Sequence, residues 1–186
     1  MQQLIELINK YAKPDPETIA SLGNLVIFEN YSRNQHILRE GQICNKVWFV
    51  KSGMVRKYHL DDGKEITSWI HFENEMITSL DSYFNSIPSH EYLQACEETC
   101  VISITKQNSE KLGQHQELAV FINRLFGEQL AKIDAGSVNF KAMNATDKYK
   151  YLQSVSPQLF KRAKLGQIAS IMGISQETLS RIRKQC

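Results

Sequence analysis

The chain has 186 residues, 42% of them hydrophobic, with 22 Lys+Arg against 20 Asp+Glu. That is enough apolar content to bury a core, and no run approaches the ~20 continuous apolar residues that span a bilayer. The opening MQQLIELINKYAKPD lacks a basic start followed by a long apolar run, and Cys44, Cys96, Cys100 and Cys186 are scattered, so a reduced, cytoplasmic protein without a secretory signal is expected.

In chain order, Leu4, Ile5, Leu7, Ile8 and Tyr11 predict a short helix over residues 3–12. Asp15 then caps a second helix over Pro16–Leu22, with proline at its first position. From Val26 to about Thr105 the pattern turns to β, as short apolar runs broken by turns. The candidate strands are VIFENYS, HILREG, KVWFVKSG, MVRKYHL, EITSWIHF and EYLQACEETCVISIT. Gly41, Ser52-Gly53 and Asp61-Asp62-Gly63-Lys64 mark turns between them, the last an Asp-Gly hairpin signal. Many short antiparallel strands predict a sandwich or roll. Cys96 and Cys100 fall in the last run, where a single strand would put them on one face, too far apart for an easy disulfide.

The pattern is helical from about Asn108 to Met143, where proline is absent. Leu118, Ile122, Leu125, Gln129, Ile133, Gly136, Phe140 and Met143 recur at three-and-four spacing, which is a seam for another helix. A second copy of the chain is the expected partner, and packing back on the β-segment is the alternative. Asn144-Ala-Thr-Asp reads as a break and a new N-cap.

The segment Leu165–Cys186 has the spacing of a helix-turn-helix. Ile168, Met172, Ile174, Leu179 and Ile182 would lock two helices together, and small Ala169 would let them approach. Gly173 supplies the turn and Ser175 the N-cap of the second helix. With Leu179 and Ile182 turned inward, Gln176, Glu177, Ser180, Arg181 and Lys184 share the outer face. Arg matches guanine, Gln adenine and Glu the cytosine amino group, whereas Lys184, Arg183 and Lys164 suit phosphate. Charge points the same way: from Asn144 onward there are eight basic and two acidic residues, against fourteen and eighteen before it. Such a local excess is what phosphate attraction requires. A terminal helical hairpin with a solvated polar face is the alternative.

Taken together, these pieces resemble the cyclic-AMP receptor / fumarate-nitrate regulator (CRP/FNR) family along essentially the whole chain. The most specific matches are Gly41 with Val47–Arg56 (VWFVKSGMVR), the Asp62-Gly63-Lys64-Glu65 hairpin, and Ser175–Ile182 (SQETLSRI), which is similar to the family's DNA-reading S-R-E-T-V-x-R-x. Glu177 and Arg181 fall on the base-reading Glu and second Arg, while Gln176 replaces the first Arg. The resemblance implies an α+β fold: a sensor β-roll with short flanking helices over residues 1–107, a long dimerisation helix over 108–143, and a helix-turn-helix DNA-binding domain over 144–186. It implies a homodimeric transcription regulator on roughly palindromic double-stranded DNA, with RNA polymerase as a further partner. No β-wing follows the second helix before Cys186, so fewer phosphate contacts are expected.

The nucleotide cassette departs from the family. Ser79 stands at the position of the ribose-binding Glu, and Ser89-His90 at about that of the phosphate-binding Arg-Ser. No arginine lies between Arg56 and Arg124, so a buried phosphate would lose its strongest charge-assisted contact. Cyclic AMP is therefore not the expected ligand, and Ser79, Leu80, Ser89, His90 and Tyr92 are the candidates for contacts to some other effector. No cysteine precedes Cys44, so the N-terminal cluster an iron–sulfur centre needs is missing. Five scattered histidines leave haem ligation open. Two other classes compete with a regulator. A cupin-like metal enzyme would want clustered ligands, but His36, His59, His71, His90 and His115 stand isolated. A ligand-binding or protein-interaction roll without DNA binding is the other. No Walker loop or nucleophile elbow is present, and no catalytic residue is assigned.

Overall fold

The computed structural model describes residues 1–185, without the side chains of residues 132, 133, 135–139 and 141. Two short helices open the chain, α1 (Gln2–Asn9) and α2 (Pro16–Leu25). The Asp15 carboxylate caps α2 by accepting from the Thr18 N–H at 2.7 Å. Eight strands follow: β1 (Ile27–Tyr31), β2 (His36–Leu38), β3 (Lys46–Ser52), β4 (Val55–Asp61), β5 (Lys64–His71), β6 (Met76–Ile77), β7 (Tyr92–Ala95) and β8 (Thr99–Thr105). They form two antiparallel four-stranded sheets, β1-β8-β3-β6 and β2-β7-β4-β5, packed face to face as a roll. Asp62 and Gly63 both take positive φ between β4 and β5, the conformation that makes Asp-Gly a tight hairpin turn. A short helix, α3 (Leu80–Asn85), sits between β6 and β7.

Alternation along the strands sends Leu38, Val50, Val55, Ile77, Leu93 and Val101 between the sheets. A second cluster packs α1 and α2 onto the other face of β3 and β8 through Leu4, Ile8, Leu22, Phe49 and Ile102.

The segment expected as one strand through both cysteines is two strands in different sheets. Cys96 lies in the connection after β7, Cys100 lies in β8, and the chain changes sheet between them. Glu97-Glu98 is the polar break, and Thr99 ties the corner by donating to the Glu97 carbonyl at 2.8 Å. Burial pushes the Cys96 thiol up, which keeps it protonated and a poor metal ligand or nucleophile.

The long helical segment is also divided. α4 (Lys106–Leu112) ends at Gly113, and α5 (Gln116–Ala142) starts after His115, whose ring meets the Thr18 hydroxyl at 3.2 Å. Residues 108–143 are therefore not one helix. The first turns of α5 are spent on the chain's own roll, where Leu118, Phe121 and Leu125 are buried beside Leu4 and Phe49 and Ile122 packs against them. Gln129 is exposed, while Ile133 and Gly136 lie outside the described side chains. Four helices complete the chain: α6 (Ala145–Val155), α7 (Pro157–Arg162), α8 (Leu165–Met172) and α9 (Gln176–Gln185). Asn144 caps α6 by accepting from the Asp147 N–H at 3.0 Å.

Candidate nucleic-acid interface and roll pocket

α8 ends in a left-handed turn at Gly173, φ +67°. The Ile174 N–H returns to the Ala169 carbonyl and the Gly173 N–H to the Ser170 carbonyl, both at 3.0 Å, which satisfies the carbonyls a helix end leaves open. Ser175 then accepts from the Thr178 N–H at 3.2 Å and starts α9. Leu179 and Ile182 are buried against Ile168, Ala169 and Met172 of α8, with Tyr149, Leu152 and Leu159 behind them. Ile174 is half-buried at the edge of the same cluster.

This core fixes which face of α9 is free. Gln176, Glu177, Arg181, Arg183 and Lys184 are exposed, Ser180 is half-buried, and Lys164 is exposed at the start of α8. The Ser175 hydroxyl and a backbone N–H hold the Glu177 carboxyl below the ordinary carboxylate range, so it is an ionised acceptor at neutral pH. The Gln176 amide lies against the start of α8, where a Cβ on Gly166 would come within 2.7 Å of its nitrogen. Gln176 and Lys164 thus also line a cleft of about 710 Å³ between the helix pair and the roll.

Two basic residues of this segment have structural work. Lys148 donates to the Met172 carbonyl at 3.2 Å. The Arg162 guanidinium reaches across to the roll, donating to both oxygens of Glu73 at 2.7 and 2.9 Å and to Glu97. The charge excess facing solvent is smaller than the sequence count suggests. Around this ion pair Met54, Ile70 and Phe72 of the roll pack directly against the C-terminal helices, and the Ser170 hydroxyl accepts from the Thr67 N–H at 2.8 Å.

The Glu73–Arg162 pair predicts a pH dependence. The Arg162 hydrogen bond, opposed by burial, holds the Glu73 carboxyl below its ordinary range. A group depressed on folding contributes stability that is complete above its unfolded pKa of about 4.3 and is lost as pH falls through its folded value. The wild type should therefore lose stability more steeply below about pH 4 than Arg162→Gln. Denaturant midpoints measured against pH check this, and parallel curves would contradict it.

In the roll, Ser79 and Ser89 come together and the other candidates do not join them. Both serines are buried, with their oxygens 3.0 Å apart. The Ser79 hydroxyl donates to Glu91 Oε2 at 3.0 Å, and Lys57 Nζ stands 3.2 Å from the same oxygen. Sequence reasoning overlooked Lys57 and Glu91. The acid beside Ser89-His90, in a stretch without arginine, was the available signal. His90 is exposed. Tyr92 stacks on Tyr58 at 4.7 Å beside His36, because Tyr58 follows Lys57 on β4 and faces the other way. Leu80 and Lys57 line a groove of about 1430 Å³ running from the roll along α5. Among the described residues, no three His, Cys, Asp or Glu are gathered to hold a metal ion, and no helix is long and apolar enough to cross a membrane.

Residues 28–116, which hold nearly all of the roll, match the family model of the cyclic nucleotide-binding domain. The whole chain has the CRP/FNR-like fold, as its structural neighbours show. One is the c-di-GMP-responsive global regulator CLP of Xanthomonas campestris, at TM-score 0.69 and 16% identity, covering 92% of this chain and 91% of that one. FixK2 of Bradyrhizobium japonicum matches at TM-score 0.71 and 20% identity over 86% and 83%. A CooA mutant from Carboxydothermus hydrogenoformans matches at 0.69 and 18% over 98% and 83%. No curated protein matches the sequence significantly.

Proposed function

We propose that the chain is a sequence-specific DNA-binding transcription regulator that works as a homodimer, with no catalytic role. The observation that carries this reading is the row Gln176, Glu177 and Arg181, exposed on a helix whose opposite face is anchored by Leu179 and Ile182. An amide that both donates and accepts (Gln176), an acceptor (Glu177) and a bidentate donor (Arg181) on one helical face match base edges in a major groove. Ser180 accompanies them, and Lys164, Arg183 and Lys184 flank them as phosphate contacts.

The working units we propose are the roll with α1–α4 as sensor, α5 as dimerisation helix and α6–α9 as DNA reader. Support for a second copy comes from apolar side chains left in the open along one groove: Leu130 is 68% exposed, Phe84 56% and Val155 53%. The dimer face on this reading is the far half of α5, since Leu118 and Leu125 are already covered. An effector other than cyclic AMP would act by re-seating α5 and the hinge at Asn144, which changes the spacing of the two α9 helices.

Arg181→Ala tests the reading. It is expected to weaken binding and relax one guanine position of the selected site by ~1–3 kcal/mol. Site selection followed by a binding titration measures both, and an unchanged base preference would count against α9 as the reader.

A further inference from the structure

The polar centre of the roll is already satisfied from within. Glu91 Oε2 receives the Ser79 hydroxyl at 3.0 Å and lies 3.2 Å from Lys57 Nζ. Ser89 braces this arrangement: its oxygen accepts from the Glu91 N–H at 3.1 Å, and its single proton is shared between the Glu91 carbonyl at 2.9 Å and Ser79 Oγ at 3.0 Å. Ser79 has no exposure and Ser89 only 2%. The side chains of Lys57 and Glu91 keep 15% and 19%. An ammonium this far out of water needs a counter-charge, and Glu91 provides it.

We propose that the Glu91 carboxylate is a built-in counter-ion which fills the anion seat of the roll and makes it reject phosphate-bearing ligands. Glu91 is on this view the residue that sets the pocket's specificity. Lys57 lines the large groove, so its ammonium can be approached by a small molecule. An arriving phosphate would meet an ammonium already neutralised and a carboxylate of its own sign beside it. The Ser79 hydroxyl, the neighbouring donor, is engaged with the same carboxylate. A ligand that displaces nothing must be uncharged or cationic at this end, with apolar surface for the walls that Trp69, Ile77, Leu80 and Phe126 supply. This inference rests on the sensor reading of the roll and not on DNA binding.

Removing the charge while keeping the shape should open the seat. In calorimetric titrations of the full chain with inorganic phosphate at matched ionic strength, the wild type is expected to show no binding up to the millimolar range. Glu91→Gln should gain phosphate affinity by roughly 10- to 100-fold, the scale of one charge neighbour at a partly buried site. The double variant Lys57→Met with Glu91→Gln should lose that gain. Glu91→Ala serves in the same design should Glu91→Gln fail to fold. Micromolar phosphate binding by the wild type would overturn the proposal. So would a folded Glu91 variant that gains nothing, or a gain that survives loss of Lys57. No DNA enters these titrations, so a chain that failed to bind any operator could still pass them.

Discussion

Leu179→Ala is expected to cost ~2–5 kcal/mol of stability and to abolish specific DNA binding. Leu179 has no exposure and sits where α8, α9 and α6 meet, in one buried cluster with Met172, Ile168 and Leu152. Truncation to the β-carbon removes its dispersion contacts and leaves a cavity that close-packed neighbours cannot easily collapse into. The functional consequence is indirect. On the proposed reading, Gln176, Glu177 and Arg181 reach a groove only if α9 is held at a fixed angle, and Leu179 is, with Ile182, one of the two side chains that hold it. Urea denaturation and an operator titration measure the two effects. A loss below about 1 kcal/mol would show that the helix pair does not depend on this contact.

Gly53→Ala should be of comparable size for a different reason. Gly53 lies in the β3–β4 corner at φ +95°, where the chain passes from one sheet to the other. A left-handed φ alone costs a substituted residue about 1–3 kcal/mol. Here the new Cβ would also fall 2.5 Å from Thr99 Oγ1 and 2.7 Å from the Glu98 carbonyl. Part of that obstacle is backbone, so it cannot swing aside. The Gly53 N–H also donates to Glu73 at 2.9 Å, so any shift of the corner disturbs the seat of Arg162. Gly63→Ala is the control, since its φ is +75° but no atom lies within 4 Å of its Cβ position. We expect Gly53→Ala to lose roughly 3 kcal/mol or more and Gly63→Ala only about 1. Equal thermal midpoints for the two would remove the steric argument.

What could be read from the sequence was local. The helix pair was legible because its apolar spacing, Gly173 and Ser175 all act within a few residues of chain. The Asp62-Gly63 hairpin and the Asp15 and Asn144 caps were legible for the same reason. What escaped were features set by distant neighbours. The period of α5 is real, but period cannot say whether Leu118 and Leu125 face a second chain or Phe49 of the same one. At the break at Gly113–His115 the His115 ring meets Thr18, almost a hundred residues earlier. The run through Cys96 and Cys100 looked continuous because the corner at Glu97–Thr99 is made by hydrogen bonds to Met54. In the candidate site, the exposed row on α9 followed from periodicity. The pairing of Lys57 with Glu91 did not, since 34 positions of sequence separate two residues that meet only when β4 and the start of β7 are laid side by side.

The apolar cluster joining Met54, Ile70 and Phe72 to Leu159, Ile168 and Met172 has a mechanical meaning. A C-terminal half tethered by a bare linker would sample orientations freely. This one shares an interior with the roll, so any rotation of α8 must either carry β5 along or open a dry seam to water. Relative motion of the two halves is therefore expected to be a jump between packings and not a gradual swing.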